Sequence, residues 1–248
     1  MEIYKNLIYV QTPEGSQYPL SEELTVDKKT YYRYMDKIYI PELPARLSKE
    51  DVSALSEIRI KLNGEVIDYS YTKELISTLI GKIGHNSTEN IIDFGCGGGI
   101  LAEVLIEGEY LSRVKNVIGL DISSFAVKSA SRKYELLENV SHEAFLFDGT
   151  DNLKIENNSI DAIISSFVMH FPIYDNQLEE LFRVLKPNGS FVYNDYIYHK
   201  SKAHYKDIIN RLTKIGFVVD EETVSFTQPD TKTLKNHRIV RAQKPSTD

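Results

Sequence analysis

From about Asn90 onward, short β-branched apolar runs alternate with stretches whose apolar positions recur at helical spacing. That alternation is the signature of parallel βαβ units. Ile91-Ile92-Asp93-Phe94, Val117-Ile118-Gly119-Leu120-Asp121, Phe145-Leu146-Phe147-Asp148 and Asp161-Ala162-Ile163-Ile164-Ser165-Ser166-Phe167 read as four strands. A fifth follows the turn Pro187-Asn188-Gly189. Between them the spacing predicts helices over Ile100–Leu105, over Phe125–Leu137 with Ser123 or Ser124 as N-cap, and over Gln177–Leu185 capped by Asp175. Ala203–Ile215 is a further helix, stopped by Gly216. Phe217–Phe226 and Arg238–Lys244 read as two closing strands around a polar Gln228-Pro229-Asp230 turn.

The first 85 residues carry a different pattern. Pro41-Glu42-Leu43-Pro44 marks a turn, and Ser48 to Ile60 reads as a helix whose Ser48-Lys49-Glu50-Asp51 start fits a capping box. Thr72 to Ile80 is another helix, leading through Gly81–Asn90 into the first strand. The expected organisation is therefore a mostly helical appendage over residues 1–85, acting as a lid, and an α/β core over residues 86–248. Tyr31, Tyr32, Tyr34, Tyr39, Tyr69 and Tyr71 crowd the appendage. They either wall a pocket or pack the appendage onto the core.

The candidate chemistry centres on Asp93-Phe94-Gly95-Cys96-Gly97-Gly98-Gly99. A strand ending in glycines ahead of a helix lets backbone N–H groups approach a ligand at the helix N-terminus. The dinucleotide fingerprint G-x-G-x-x-G fails here, because Ile100 stands at its third glycine. A P-loop is disfavoured as well, since no Lys-Ser/Thr pair follows the glycines. Asp121, at the end of the second strand, is placed to accept hydrogen bonds from a ribose diol. Asp148-Gly149 repeats the arrangement of apolar strand, acid and glycine.

The acid followed by G-x-G-x-G resembles motif I of the class I S-adenosylmethionine-dependent methyltransferases. Asp121, Asp148-Gly149 and Ser165-Ser166-Phe167 resemble the family's next three motifs, and Arg183-Val184-Leu185-Lys186-Pro187-Asn188-Gly189-Ser190-Phe191 its helix–turn–strand signature, with Asn188 where glycine is commoner. The likeness covers roughly residues 88–245. It implies a Rossmann-like fold with a seven-stranded, mostly parallel sheet in the order 3-2-1-4-5-7-6, helices on both faces and a closing antiparallel hairpin. It also implies S-adenosyl-L-methionine as the cofactor. Asp121 and Ile122 would meet the ribose and adenine, Asp148 the adenine amino group, and the Gly149 backbone a ring nitrogen. Gly95 and Ser165 would lie near the methionine amino group, with N–H donors from the Cys96–Gly97 turn. Asp93 would order the turn or approach that amino group, and Phe94 and Phe147 are candidate apolar walls.

For transfer itself, Tyr31, Tyr34 and Phe167 are candidates to face the sulfonium, since aromatic faces attract cations. His170, just past the fourth strand, is either a general base, for which an imidazole near neutrality is suited, or a residue with no part in catalysis. Asn194, Asp195 and Tyr196 end the fifth strand at the same edge, either orienting a polar acceptor and taking its proton or capping a loop. Two reactions are compatible with these residues. One is methyl transfer to an O, N or C atom of a small molecule. The other uses the sulfonium's remaining carbons, by aminocarboxypropyl transfer or cyclisation, and releases methylthioadenosine.

Bulk properties narrow the partners. A formal net charge of −7 over 248 residues disfavours a nucleic acid. Cys96 is the single cysteine, so no intramolecular disulfide or cysteine metal cluster is expected. His85, His142, His199, His204 and His237 lack metal-ligand spacing, so no metal is expected. With neither a basic-apolar leader nor a membrane-length apolar run, the chain reads as cytoplasmic, free of membrane, and a monomer or homodimer.

Overall fold

Five short strands between Glu2 and Ile40 form an antiparallel sheet that the sequence pattern does not announce. Its strands are β1 (Glu2–Tyr4), β2 (Leu7–Tyr9), β3 (Glu23–Val26), β4 (Lys29–Met35) and β5 (Ile38–Ile40), in the order β1-β2-β5-β4-β3. The computed structural model describes residues 1–10, 21–35, 37–62, 69–83, 88–108, 110–197, 202–227 and 234–246. His85, His199, the Gln228-Pro229-Asp230 turn and the Tyr196 side chain lie outside that description. β3 and β4 reverse at Asp27-Lys28, where both residues have positive φ, 49° and 67°, as a two-residue hairpin of matching twist requires.

Two helices follow, as expected: α1 (Lys49–Lys61), whose Ser48 hydroxyl accepts the Asp51 N–H at 3.1 Å, and α2 (Tyr69–Gly81). The appendage, expected to be mostly helical, thus puts a sheet ahead of its helices. α1 buries Ala54, Leu55 and Ile58 in one cluster with Leu7, Tyr9, Ile38 and Ile40 of the sheet, and that cluster also takes in Phe171 of the core.

The core sheet contains β6 (Asn90–Phe94), β7 (Asn116–Asp121), β8 (Ser141–Leu146), β9 (Ile160–Ser165), β10 (Leu185–Tyr196), β11 (Val218–Thr227) and β12 (Leu234–Gln243). Its order is β11-β12-β10-β9-β6-β7-β8, which numbered from β6 is 3-2-1-4-5-7-6. The strands β6 to β10 pair in parallel, while β12 runs antiparallel to both β10 and β11. Alternate residues of each strand serve opposite faces. Ile91, Val117 and Ile164 pack with α2, α3 (Ile100–Glu107) and α4 (Ser124–Tyr134). Ile92, Ile118 and Ile163 pack with α5 (Asp175–Val184) and α6 (Lys202–Ile215). Two boundaries differ from the sequence expectation. Asp175 is the first residue of α5 and not its cap, because Gln177 Oε1 accepts the Tyr174 N–H at 3.0 Å and ties the turn one residue earlier. β8 begins at Ser141, so Asp148 stands beyond its end.

Candidate active site

At β6 the strand order reverses, β7 lying on one side and β9 on the other, and a cleft opens at the carboxyl ends of these strands, where α/β sheets bind ligands. The turn after β6 is bound to the end of β7. Gly95 and Cys96 donate their N–H groups to the Leu120 carbonyl at 2.7 and 3.0 Å. Gly97 donates to Asp121 Oδ2 at 2.9 Å, while Asp121 Oδ1 accepts the Ser123 N–H at 2.8 Å. Gly95 has φ +77°, and a Cβ there would overlap the Val168 side chain at 2.1 Å, so no other residue fits.

Two buried carboxylates flank this turn. Burial pushes Asp121 above the usual carboxylate range, against the Ser123 and Gly97 N–H groups that favour its charge. Asp93 is raised to about 7, by burial first and with a contribution from the Asp121 charge, although it accepts the Tyr134 hydroxyl at 2.8 Å. The absence of a side chain at Gly119 makes that contact possible, because a Cβ there would lie 2.8 Å from the Tyr134 ring.

The cleft comprises two adjoining cavities of about 770 and 460 Å³ including their open mouths, which share Ser56, Arg59, Gly95, Gly97, Ser166 and Phe167. The larger runs past Asp121, Ile122 and Phe147 to an apolar wall of Leu47, Val52, Leu55, Val168, Phe171 and Ile173. The smaller reaches Asp93, Cys96 and Gly98 beneath Tyr69, Thr72 and Ile76 of α2. Lys49, Val52, Ser56 and Arg59 all line the larger cavity from α1, at the i, i+3, i+7, i+10 spacing that places residues on one helical face.

Phe167 stands where the cavities meet, in a left-handed conformation with φ +58°. Its N–H donates to Asn194 Oδ1 at 2.8 Å; Asn194 Nδ2 lies 3.1 Å from His237 Nδ1, and His237 Nε2 bonds to the Tyr71 hydroxyl. Burial lowers His237 to about 4, so the ring is neutral. With the Asn194 amide donating to Nδ1, the imidazole proton sits on Nε2 and points to Tyr71.

The cofactor-binding candidates gather here to different degrees. Gly95, Gly97, Asp121 and Ile122 line the larger cavity, and Asp93 and Cys96 the smaller. The Cys96 thiol is buried and pushed well up, the condition of a packing residue and not a nucleophile. Ser165 is buried beside the lining residue Ser166, and its Oγ has no hydrogen-bond partner among the described residues. Asp148 is not among the lining residues of either cavity; it is held below its usual range by the Thr150 hydroxyl and N–H and by Lys49, a lining residue whose ammonium is 3.2 Å away. Gly149 abuts Tyr174 and Gln177, both in the cavity wall.

The four catalytic candidates lie elsewhere. His170 is buried behind the wall, with Nε2 2.8 Å from the Tyr34 hydroxyl and its ring 4.1 Å from that of Phe171. Burial lowers it to about 3, which leaves it a weak base at neutral pH. Tyr31 lies on β4 under the Lys29 ammonium, 5.2 Å from its ring centre. Asp195 is buried and paired with Arg238 at 3.1 Å, and that guanidinium stacks on Tyr205 at 3.8 Å. None of the four is among the residues that line the two cavities. Lys49 and Arg59 do line the cleft, and only the docking of α1 reveals this. Among the described residues, no group of three His, Cys, Asp or Glu side chains could hold a metal ion.

A family model described as a methyltransferase domain matches residues 85–238, more than half of the chain. The chain belongs to that family. That family is the class I S-adenosylmethionine-dependent methyltransferases. Among curated relatives, a sterol 24-C-methyltransferase of Aspergillus fumigatus is 30% identical over 46% of this chain and 29% of its own length. An uncharacterized methyltransferase of Oceanobacillus iheyensis is 25% identical over 71% of this chain and 78% of its own. The matches to the first two curated relatives cover less than half of those proteins. Of solved structures, a [4+2]-cyclase named SpnF superposes with TM-score 0.61 at 14% identity, over 83% of this chain and 99% of its own. A methyltransferase of Aquifex aeolicus gives 0.52 at 18% identity, over 80% and 99%. Both likenesses are of fold. No helix among the described residues is long and apolar enough to cross a membrane.

Proposed function

We propose that this methyltransferase binds S-adenosyl-L-methionine along the two cavities and methylates a small, largely apolar acceptor. The observation that carries the reading is the convergence of the glycine turn, Asp93 and Asp121 in one cleft whose remaining wall is apolar. The residues fit the cofactor chemically. Each Asp121 oxygen accepts one backbone N–H and keeps a lone pair for a ribose hydroxyl. Ile122 and Phe147 offer apolar faces to a purine. Asp93 suits an ammonium, and burial makes that pairing strong; the Ser165 hydroxyl, buried beside the lining Ser166 and without a partner among the described residues, is a second acceptor for it.

The cofactor supplies an already activated methyl group. The chain's task is then to align the acceptor, exclude water and balance charge. The apolar wall from α1 and the loop after β9 does the excluding, and it favours an acceptor with apolar bulk. Sterol and fatty-acid methyltransferases stand among the relatives, in keeping with such an acceptor. His170 and Tyr34 tie the appendage to the core in this reading, and proton removal, where the acceptor needs it, falls to the acceptor or to solvent.

The test is mass spectrometry of the purified protein with S-adenosylmethionine, alone and with a cell extract. S-adenosylhomocysteine formed only with extract, together with an extract component heavier by one methyl group, is the expected result. Methylthioadenosine formed above the spontaneous background would assign the sulfonium's other carbons instead.

A further inference from the structure

Arg59 faces the junction of the two cavities from α1. Among the described residues its side chain has no hydrogen-bond or ion-pair partner, and its Nε is buried. A buried N–H of a guanidinium without an acceptor is costly and calls for an explanation. The acids nearby are engaged. Asp93 accepts from Tyr134, Asp121 from two backbone N–H groups, and Glu57 on the same helix from Lys5 and Lys61. Lys49, the other cation of the lining, is paired with Asp148. The guanidinium is close enough to hold down both the Asp121 carboxyl and the His170 imidazole by its charge.

We propose that Arg59 is a carboxylate receptor, and that the carboxylate is the one at the amino-acid end of the cofactor. This rests on the reading of the cleft as the S-adenosylmethionine site. The smaller cavity explains why a cation is needed. Beside the apolar Ile60, Ile76, Ile100 and Leu101 its wall holds the neutral hydroxyls of Ser56, Tyr69, Thr72 and Ser166, and one carboxyl group, Asp93. Asp93 suits an ammonium and repels a carboxylate, so the carboxylate of a zwitterionic amino acid is best met by a positive group in the same cavity. Arg59 is the cationic residue that lines this cavity among the described residues. A guanidinium offers two parallel N–H donors to the two oxygens of a carboxylate, which a lysine cannot reproduce. Ser56, one turn earlier on the same face, lines both cavities beside it. The appendage would thereby read the amino-acid end of the ligand while the core reads the nucleoside.

Calorimetric titration of the full chain tests this with two ligands, S-adenosylhomocysteine and methylthioadenosine, the second of which lacks the amino-acid end. Arg59→Met should weaken S-adenosylhomocysteine roughly 10- to 100-fold, the range for a charge-assisted hydrogen bond left unmade. It should leave methylthioadenosine within about twofold, and Arg59→Lys should fall between. Equal weakening of both ligands would make Arg59 a structural support of the cleft and overturn the proposal. Unchanged binding of both would overturn it too, and direct attention to an anionic acceptor. If Arg59→Met does not fold, the wild-type protein still decides the matter. It should bind decarboxylated S-adenosylmethionine at least about tenfold more weakly than S-adenosylmethionine, and equal affinity would refute a carboxylate receptor. A wild-type protein that binds none of these nucleosides would overturn the reading of the cleft itself, separately from the role of Arg59.

Discussion

The hydroxyl of Tyr34 lies 2.8 Å from Nε2 of His170, joining β4 of the N-terminal sheet to the loop that follows β9. The bond is made to a neutral ring, for burial lowers His170 to about 3. In the unfolded chain the same ring would take a proton near pH 6.5. A folded-state value below the unfolded one means stability that is present above pH 6.5 and lost as the pH falls toward 3. His237, lowered to about 4, adds to the loss. Asp93 and Asp121 oppose it, because burial raises both carboxyls and their contribution grows on acidification. The His170 part is isolated by comparison with a variant that lacks the imidazole. Between pH 6.5 and 4.5, His170→Gln should lose less melting temperature than the parent, as followed by circular dichroism. Parallel slopes for the two proteins would refute the assignment to His170.

Asn194→Ala removes the acceptor of the Phe167 N–H and leaves a left-handed residue unsupported at the cavity junction. The expected cost is about 1–3 kcal/mol in urea unfolding, with weaker cofactor binding as the Phe167 ring loses its position. A variant as stable as the parent would show that the loop after β9 holds its shape without Asn194.

Asp121→Asn is nearly isosteric yet incompatible with its surroundings. Both carboxylate oxygens accept backbone N–H groups, so one of them would be replaced by an NH₂ that faces a donor. Loss of about 1–3 kcal/mol of stability is expected, together with a sharp drop in nucleoside affinity by calorimetry. Affinity unchanged in a folded variant would remove Asp121 from the site.

Cofactor affinity should also rise with pH between 6 and 8, since the ionised form of Asp93 is the one that meets a cationic ligand, and its value stands at about 7. Asp93→Asn should flatten that profile. Gly119→Ala should disturb it from a distance, because the added methyl would sit 2.8 Å from the Tyr134 ring and 3.1 Å from Cys96 Sγ, driving the Tyr134 hydroxyl off Asp93. Without that donor the carboxyl rises further, and the profile moves to higher pH.

What the sequence discloses of this protein is what local chemistry dictates. The glycine turn, the acids at the strand ends and the order of the βαβ units are written in contiguous residues, and strand order and helix positions follow. The N-terminal sheet is hidden because β1, β2 and β5 have three residues each, too few to display a period, and because Asp27-Lys28 makes its hairpin without glycine. α1 is legible through its capping box, but which of its faces meets the cleft is decided by a sheet the pattern does not reveal. Arg59 goes unnoticed for that reason. His170 is conspicuous in sequence because it follows β9, yet the left-handed turn at Phe167 precedes it, and the ring ends buried against Tyr34 and Phe171.

Leu47, Val52 and Leu55 reach the cleft from the N-terminal unit, whereas the glycine turn, Asp93 and Asp121 belong entirely to the sheet of seven strands. The two sheets share no strand among the described residues. A lineage carrying this architecture can therefore alter the greasy wall at Leu47, Val52 and Leu55 while Arg59 and the residues of the seven-stranded sheet stay as they are. On the proposed reading, the fit to an acceptor then drifts without loosening the grip on the cofactor.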